Sequence, residues 1–536
     1  MGRGQERGLR SGFVAGAVAS LGMAAIQVIG RFSFGVPTFF DLSENWITQA
    51  IPTSVFAFLL DRLQFSAKPL LFVGLILVQI VVGGGLGMLW RAGVGSRDTA
   101  NRPFLLLGTV SYGVLLWVLT EIIVLPILGQ GAFGSRVSTG PAALTLLLFV
   151  AYLIYGLILG VNFDAGRALG RTEAVDAGRR RLLTSVVGAG AVAAFGDALV
   201  HAFGASDSTP ANPTSVDSPG LMVGPTLVAA IYPLPSPSEP WSIPGLSPEI
   251  TPAKDFYLVS KNLFSDPHVD AQTWSLRIDG LVTRPVQFSY AELLQLPAVE
   301  FYQTLECISN PIGGDLISTA WWRGVRLKDL LSLAGANPKT VKVVFHAVDD
   351  YADSVPLAAA LDPAAALVYQ MNRAPLPVGH GYPARVLVPG RYGIKNVKWV
   401  NHIELVAEDF KGYWQQRGWT DDGRIHTMSR LDVPKDHSIV NAGRIRVAGI
   451  SFGGNRGISR VQVSVDEGKS WQDARLKPAL GPLTWRLWQY DWQAPKGNGS
   501  IFVQATDGAG HAQWPLPQDT VPDGATGQDV HVITIK

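Results

Sequence analysis

Four apolar runs in the first third of the chain are long enough to cross a membrane: Gly12–Gly30, Pro69–Trp90, Pro103–Leu128 and Pro141–Phe163. A helix needs about 20 such residues to span a hydrocarbon layer of about 30 Å. A fifth run, Leu182–Phe203, is milder and richer in Ala and Gly, and is read as a fifth span. Trp46–Leu60 is short, broken by Pro52 and closed by Asp61 and Arg62, which suits an interfacial or re-entrant segment. Arginines orient these spans, because loops on the cytoplasmic side carry an excess of positive charge. With the N-terminus inside, five spans place Arg3, Arg7 and Arg10, then Arg91, Arg97 and Arg102, then Arg167, Arg171 and Arg179–Arg181 on the inner face. The outer loop Gly129–Gly140 then holds only Arg136. The remainder of the chain is expected on the outer face of a multi-pass cell-membrane protein in contact with lipid.

The pattern changes after Phe203. Eleven prolines between Pro210 and Pro252, mixed with Ser and Gly, read as an extended tether. From Thr251 to Trp419 short strands mix with short helices. Trp274–Ile278, Val341–His346, Arg385–Val388 and Lys398–Leu405 read as strands, and Tyr290–Leu296 and Leu327–Ala334 as helices. That order argues for an α+β domain. After Asp432 every segment reads as strand: Arg444–Ser451, Val461–Val465, Trp485–Trp492, Ile501–Ala505 and Val530–Ile535. Strands at such spacing predict an immunoglobulin-like β-sandwich. The expected domains are therefore a transmembrane helical domain at 1–205, a linker at 206–252, an α+β domain at 253–425 and a sandwich at 426–536.

Composition narrows the class. Of 536 residues only 16% are charged, against about 25% in ordinary soluble domains. Mean hydropathy is +0.21, which excludes a purely soluble or disordered chain. Forty-four basic residues balance 42 acidic ones, so no nucleic-acid partner is implied. The single cysteine, Cys307, excludes internal disulfides, iron–sulfur clusters, Cys-rich zinc sites and c-type haem. Among the spans only His201 could ligate a haem, and two axial ligands are commonly needed, so no haem is expected. Glu121, inside the third span, is either a functional intramembrane acid or a carboxylate hydrogen-bonded to a neighbouring helix.

Candidate chemistry gathers in four segments. Thr304-Leu305-Glu306-Cys307-Ile308-Ser309-Asn310 carries the thiol. His380-Gly381-Tyr382-Pro383-Ala384-Arg385 is followed by Pro389-Gly390-Arg391-Tyr392-Gly393 and by Asn396-Val397-Lys398-Trp399. Arg385, Lys398 and His380 would supply donors and positive charge, as an anion such as a phosphate requires. A soft thiolate suits a soft or high-valent metal. Taken singly, an isolated cysteine suits core packing better than ligation, and a glycine turn is more often only a turn.

Taken in order, these segments resemble the sulfite oxidase family of molybdopterin enzymes from about Asp255 to Lys536. The resemblance also runs through Ile317–Leu327, Asp349–Leu357, Met371–Pro377, and the C-terminal Val463–Trp471 and Trp485–Gln489. It implies a molybdenum–molybdopterin cofactor with Cys307 as the thiolate ligand. His380, Arg385, Asn396, Val397 and Lys398 would hold the pterin phosphate, and Asp349 would contact the pterin. Tyr257, Ser260 and Lys261 fall where the family makes an N-terminal pterin contact. Tyr351 would stand beside the substrate, and Arg486 would match a substrate-binding arginine. The C-terminal domain would join two copies as a homodimer. Arg179-Arg180-Arg181-Leu182-Leu183, an internal twin-arginine-like motif, agrees with export of a folded cofactor protein.

The implied function is two-electron oxygen-atom transfer on a small molecule, with a separate electron carrier or quinone-linked partner. A sulfoxide-type reductase on the same scaffold is the alternative, and a non-catalytic membrane-tethered binding protein is a third reading. Where sulfite oxidases carry a pocket arginine, this chain has Trp321, so weak binding of sulfite is expected.

Overall fold

The structure, a computed structural model, describes residues 3–34, 36–51, 55, 67–94, 102–135, 141–168, 230–232, 241–262 and 266–536. The fifth apolar run, the twin-arginine-like motif and most of the tether lie outside the described residues. The chain divides into two compact units, Met1–Thr214 with Asn262–Ser265, and Ser215–Lys261 with Asp266–Lys536.

The first unit is helical: α1 (Arg3–Phe34), α2 (Phe39–Ala50), α3 (Ala67–Val94), α4 (Arg102–Leu119) and α5 (Pro141–Ala168). Among the described residues, four stretches are long and apolar enough to cross a membrane: Gly8–Arg31, Leu70–Gly93, Leu106–Ile127 and Pro141–Asn162. Glycines let α1 and α3 approach backbone to backbone. A Cβ on Gly16 would lie 2.2 Å from the Gly83 carbonyl oxygen, and one on Gly87 would lie 2.3 Å from that of Gly12. Small residues serve this purpose where hydrophobicity cannot drive helices together. Trp46 belongs to α2, which starts at a capping box of Thr38 and Asp41 and has only 12 residues, too few to span. The segment after Ile51 is almost wholly outside the described residues. Beyond α4 the helix widens into a π turn at Thr120–Val124. Glu121 in that turn is fully buried and accepts from Trp117 Nε1 at 3.0 Å, with Thr145 Oγ1 3.5 Å from its other oxygen. It is thus hydrogen-bonded within its helix and to α5.

The second unit has two parts. Strands β1 (Ser275–Gly280), β2 (Val286–Ser289), β5 (Lys342–Ala347), β6 (Ala352–Pro356) and β10 (Val400–Val406) form a mixed sheet in the order β2-β1-β10-β5-β6. Its core packs Leu276, Ile278, Val343, Phe345 and Ile403 against Leu327, Leu330 and Leu331 of α7 (Leu327–Ala334), while α6 (Tyr290–Gln295) adds Leu293. A second sheet pairs β3 (Val299–Glu306), β4 (Ile317–Arg326), β7 (Ala366–Met371) and β8 (Ala374–Pro375), with β9 (Arg385–Leu387) alongside β7. The two-residue turn between β7 and β8 is Asn372-Arg373, both at positive φ, the geometry that suits the twist of a tight hairpin.

The C-terminal part is two sheets face to face. One has the order β11-β13-β17-β16 and the other β12-β19-β18-β14-β15. Here β11 is Met428–Val433, β12 Ile439–Val440, β13 Gly443–Phe452, β14 Ile458–Ser464, β15 Gln472–Asp473, β16 Arg475–Leu476, β17 Arg486–Ala494, β18 Gly497–Asp507 and β19 Asp529–Ile535. Val447, Trp488, Val463, Val503 and Ile533 meet between them. The two parts are joined at backbone level, with Thr304 N donating to the Leu483 carbonyl at 2.9 Å and Trp485 N to Thr304 Oγ1 at 2.9 Å.

Candidate active site

Cys307 sits just past the end of β3, in the connection to β4. Its N–H donates to the Leu316 carbonyl at 2.9 Å, and its carbonyl accepts from Asn310 N at 3.0 Å. The Asn310 side chain closes the loop from both sides. Its oxygen accepts from Leu316 N at 3.0 Å and its amide donates to Glu306 Oε1 at 3.0 Å. Spacing in Glu-Cys-x-x-Asn is therefore the spacing of a clamped loop. Burial pushes the Cys307 thiol up, with Ser309 and Lys398 opposing and Glu306 adding to it. A coordinating metal would deprotonate such a thiol outright.

Cys307 opens into a cleft whose atom-free space, counting the part open to solvent, is about 740 Å³. Eleven of the residues singled out from the sequence line it together: Tyr257, Ser260, Lys261, Cys307, Asp349, Tyr351, His380, Arg385, Asn396, Val397 and Lys398. Each reaches it from a loop or strand end. Gly381 (φ 110°) lets the His380 turn close against the strand ends, since a Cβ there would lie 3.0 Å from the Cβ atoms of Arg385 and Lys398. The Asn396 side chain serves its own loop, accepting from Val388 N at 2.8 Å and donating to the Arg391 and Tyr392 carbonyls. Lys261 lies 3.6 Å from Asp349, and Lys398 Nζ donates to the Gly379 and Val259 carbonyls at 2.8 and 3.1 Å.

Arg385 is the electrostatic centre of the cleft. It is buried, and its guanidinium donates to the His380 and Asn396 carbonyls at 3.3 and 2.9 Å, while its Nε is buried without a partner. Burial lowers its pKa to about 10. His380 differs from the sequence-based expectation of positive charge. Burial, with Arg385 and Lys398 close by, holds its pKa down to about 3, so at neutral pH it is uncharged. Its Nε2 lies 3.3 Å from the Ala253 carbonyl, which can only accept, so Nε2 carries the proton.

Two expected substrate residues are elsewhere. Arg486 does not line this cleft. At the start of β17 it donates to the Lys477 and Ile458 carbonyls at 3.1 and 2.9 Å and borders a separate concavity with Arg456, Ser459 and Thr484. Trp321, on β4, is buried under the Arg373 guanidinium at 4.7 Å and exchanges hydrogen bonds with Asn372. It too is absent from the cleft wall. The cleft also uses Gly393 of the quoted glycine turn and residues that the motifs did not single out, including Phe256, Ile394 and Trp414. Gly393 had a visible signal, the glycine closing Pro-Gly-Arg-Tyr-Gly. A Cβ there would lie 2.9 Å from the Tyr257 hydroxyl and 3.8 Å from Cys307 Cα, filling the space between them.

Residues 264–414 match the family model of the oxidoreductase molybdopterin binding domain, and residues 424–520 that of the Mo-co oxidoreductase dimerisation domain. These matches define a molybdopterin-dependent oxidoreductase. The chain is 32% identical over 313 residues to mitochondrial sulfite oxidase of Mus musculus, covering 49% of this chain and 57% of that protein. It is 31% identical over 314 residues to sulfite oxidase of Gallus gallus (49% of this chain, 68% of that protein) and 30% identical over 279 residues to that of Arabidopsis thaliana (43% and 70%). The chain belongs to the sulfite oxidase family. It spans less than two thirds of the mammalian relatives it matches.

The family's cofactor is molybdenum held by a molybdopterin, and the residues present fit it. A buried guanidinium with one orphaned donor and only neutral acceptors suits a phosphate, and the chain's single thiol opens into the same cleft.

Proposed function

We propose that this chain is a membrane-held oxidoreductase that moves one oxygen atom, with two electrons, between water and a small substrate at the Cys307 cleft. The observation that carries this reading is the placement of the only cysteine and of a buried, carboxylate-free arginine on one cleft wall. Cys307 would ligate molybdenum, which when bound supplies the two-electron redox chemistry. Arg385 and Lys398 would hold the pterin phosphate as charge-assisted donors, and neutral His380, its Nε2 proton on the Ala253 carbonyl, would offer Nδ1 to an N–H of the pterin and not to the phosphate. Tyr351 would orient substrate with its phenol. Asp349 would fix Lys261 at the cleft mouth.

Among the described residues, Arg385 is the only arginine lining the cleft. With Arg385 and Lys398 assigned to the pterin phosphate and Lys261 beside Asp349, little positive charge is left for a substrate dianion, to which each charge-assisted bond would contribute about 1.5–3 kcal/mol. This supports a less charged oxygen-atom donor or acceptor, such as a sulfoxide, as a second reading beside sulfite. The two-sheet C-terminal part supports an immunoglobulin-like domain that joins two copies. Four long apolar helices support a multi-pass membrane anchor; with the fifth apolar run as a further span, as the arginine distribution asks, the cleft would lie on the outer face, where a soluble carrier or quinone-linked partner would exchange electrons.

The test is molybdenum analysis and turnover of purified protein, with sulfite and a methyl sulfoxide in parallel. Wild type should hold about one molybdenum per chain, and Cys307→Ser should lose turnover with its fold intact. Full dye-linked activity in Cys307→Ser would refute the ligand role, and wild type free of molybdenum would refute the reading.

A further inference from the structure

A buried acid–base chain leaves the cleft wall at Tyr351, and its members beyond that residue have no part in the reaction as described above. The Tyr351 hydroxyl lies 2.7 Å from the Ile394 carbonyl and 3.1 Å from Asp353 Oδ2. Asp353 is wholly buried, and its Oδ1 accepts from Lys395 Nζ at 2.7 Å. Lys395, 1% exposed, is also 3.3 Å from Asp421 Oδ1. The Asp421 side chain is 27% exposed, and its Oδ2 accepts from Lys342 and Lys411 Nζ at 2.8 Å each. Tyr351 thus stands at the cleft and Asp421 at the surface, with no gap between them longer than 3.3 Å. Apolar side chains of equal volume would avoid the desolvation that such a buried pair incurs, so packing alone does not account for it.

We propose that Tyr351, Asp353, Lys395 and Asp421 form a proton path between the cleft and the surface. The proposal rests on the oxidoreductase reading and deepens it. Oxidation of a substrate X with oxygen from water is X + H2O → XO + 2 H+ + 2 e−. Both O–H bonds of water break and one X–O bond forms. The electron pair leaves to the carrier or quinone acceptor, and two protons must leave the cleft. In the reductive direction the same protons enter. Tyr351 passes its proton to Asp353 and is reprotonated from the cleft. Lys395 passes an ammonium proton to Asp421 and regains one from Asp353, and Asp421 releases it to water. After each passage every group has returned to its starting charge. Burial, outweighing Lys395, holds Asp353 above the usual carboxylate range, which suits a transient proton acceptor. Although part-buried, Asp421 is held down to about 2 by Lys342, Lys411 and Lys395, so a proton arriving there moves on. Asp349 and Tyr413 also face Tyr351, and Asp409 faces Lys342 and Lys411.

The test uses the full, cofactor-loaded protein. Asp421→Asn should fold, keep its molybdenum and keep KM within about twofold, yet lose about tenfold or more in kcat. Its solvent deuterium isotope effect should rise, and Asp421→Glu should restore both. Asp409→Asn, off the path, should leave kcat unchanged. A loaded Asp421→Asn with wild-type kcat and isotope effect overturns the path alone. A wild type without molybdenum overturns the oxidoreductase reading and the path with it. A readout independent of turnover is infrared titration of cofactor-free protein. The carboxylic-acid band that disappears in Asp353→Asn should titrate above the range of ordinary exposed carboxylates, and its titration within that range overturns Asp353 as the accepting station.

Discussion

Arg385 and Lys395 are both buried cations near one cleft, and their surroundings are opposite. Arg385 meets only backbone carbonyls and keeps Nε unpartnered. Lys395 meets two carboxylates, Asp353 and Asp421, and the Ser354 carbonyl at 3.0 Å. A buried charge is costly unless it is paired. Lys395 is therefore paired within the chain, whereas Arg385 keeps an open donor for the anion proposed to enter the cleft. Burial alone does not mark a ligand site. A buried charge whose partners are all neutral does.

The comparison breaks most sharply at Lys395. Lys395→Met leaves Asp353 buried without its cation and should cost about 3–5 kcal/mol, read as a lowered thermal midpoint of the full chain. Lys395→Met with Asp353→Leu should recover most of that loss, because the uncompensated carboxylate goes too. Loss unchanged in the double variant would mean that the pair is not the source of the effect. Arg385→Met should do the reverse. It removes a cation with no carboxylate partner, so the cofactor-free protein should be no less stable. The loaded protein should lose a bond of about 1.5–3 kcal/mol to the pterin phosphate, which is about 10- to 100-fold in retention. Molybdenum content after dialysis measures it, and unchanged content would remove Arg385 from the phosphate site.

His380 sharpens the comparison through pH. In the unfolded chain it titrates near 6.5, whereas in the fold burial beside Arg385 and Lys398 holds it down to about 3. The stability this lowered pKa confers on the neutral ring is present above pH 6.5 and is lost as pH falls toward 3. The loss is at most about 1.4 kcal/mol per pH unit. His380→Gln should flatten that slope in the cofactor-free protein, measured as thermal midpoint against pH. Glu306 works the other way, since burial raises it to about 7 and favours the fold as pH falls through 7 toward its ordinary value. The His380 effect is therefore read as the difference between wild type and variant.

Much of this arrangement was legible in the sequence. Four of the expected spans coincide with long apolar helices, and α7 has the expected bounds, Leu327–Ala334. Strand β1 announced itself by alternation, with Leu276 and Ile278 buried and Arg277 exposed, and β5 falls within the expected strand Val341–His346 although it does not alternate. Strands β3, β4 and β7 carry no such signal, because they are buried almost throughout and β3 and β4 bury polar side chains such as Gln303, Thr304, Ser318 and Thr319 among apolar ones. The loop residues of the cleft were legible because they occur in short ordered motifs whose backbones converge there. Side-chain direction on a strand was not. Trp321 and Arg486 each lie on a strand, where a period of two sends neighbours to opposite faces and pairing with adjacent strands decides which. The Asn372-Arg373 hairpin claims Trp321, and the carbonyls of Lys477 and Ile458 claim Arg486.

Arg486 gives the smallest and most discriminating effect. Its guanidinium, like that of Arg385, donates to two backbone carbonyls, so hydrogen bonding alone does not separate the two residues. Position does: Arg385 lines the Cys307 cleft and Arg486 does not. Burial lowers the pKa of Arg486, yet the residue is only half-buried, so water screens much of its charge. Arg486→Met should therefore lower stability by about 1 kcal/mol or less, since solvent replaces part of what the carbonyls lose. Molybdenum content should stay at the wild-type level, and KM for the better of sulfite and methyl sulfoxide should change by less than about twofold, under about 0.4 kcal/mol. A KM raised tenfold with unchanged stability would place Arg486 at the substrate after all. It would then show that the two concavities act as one site in the working enzyme.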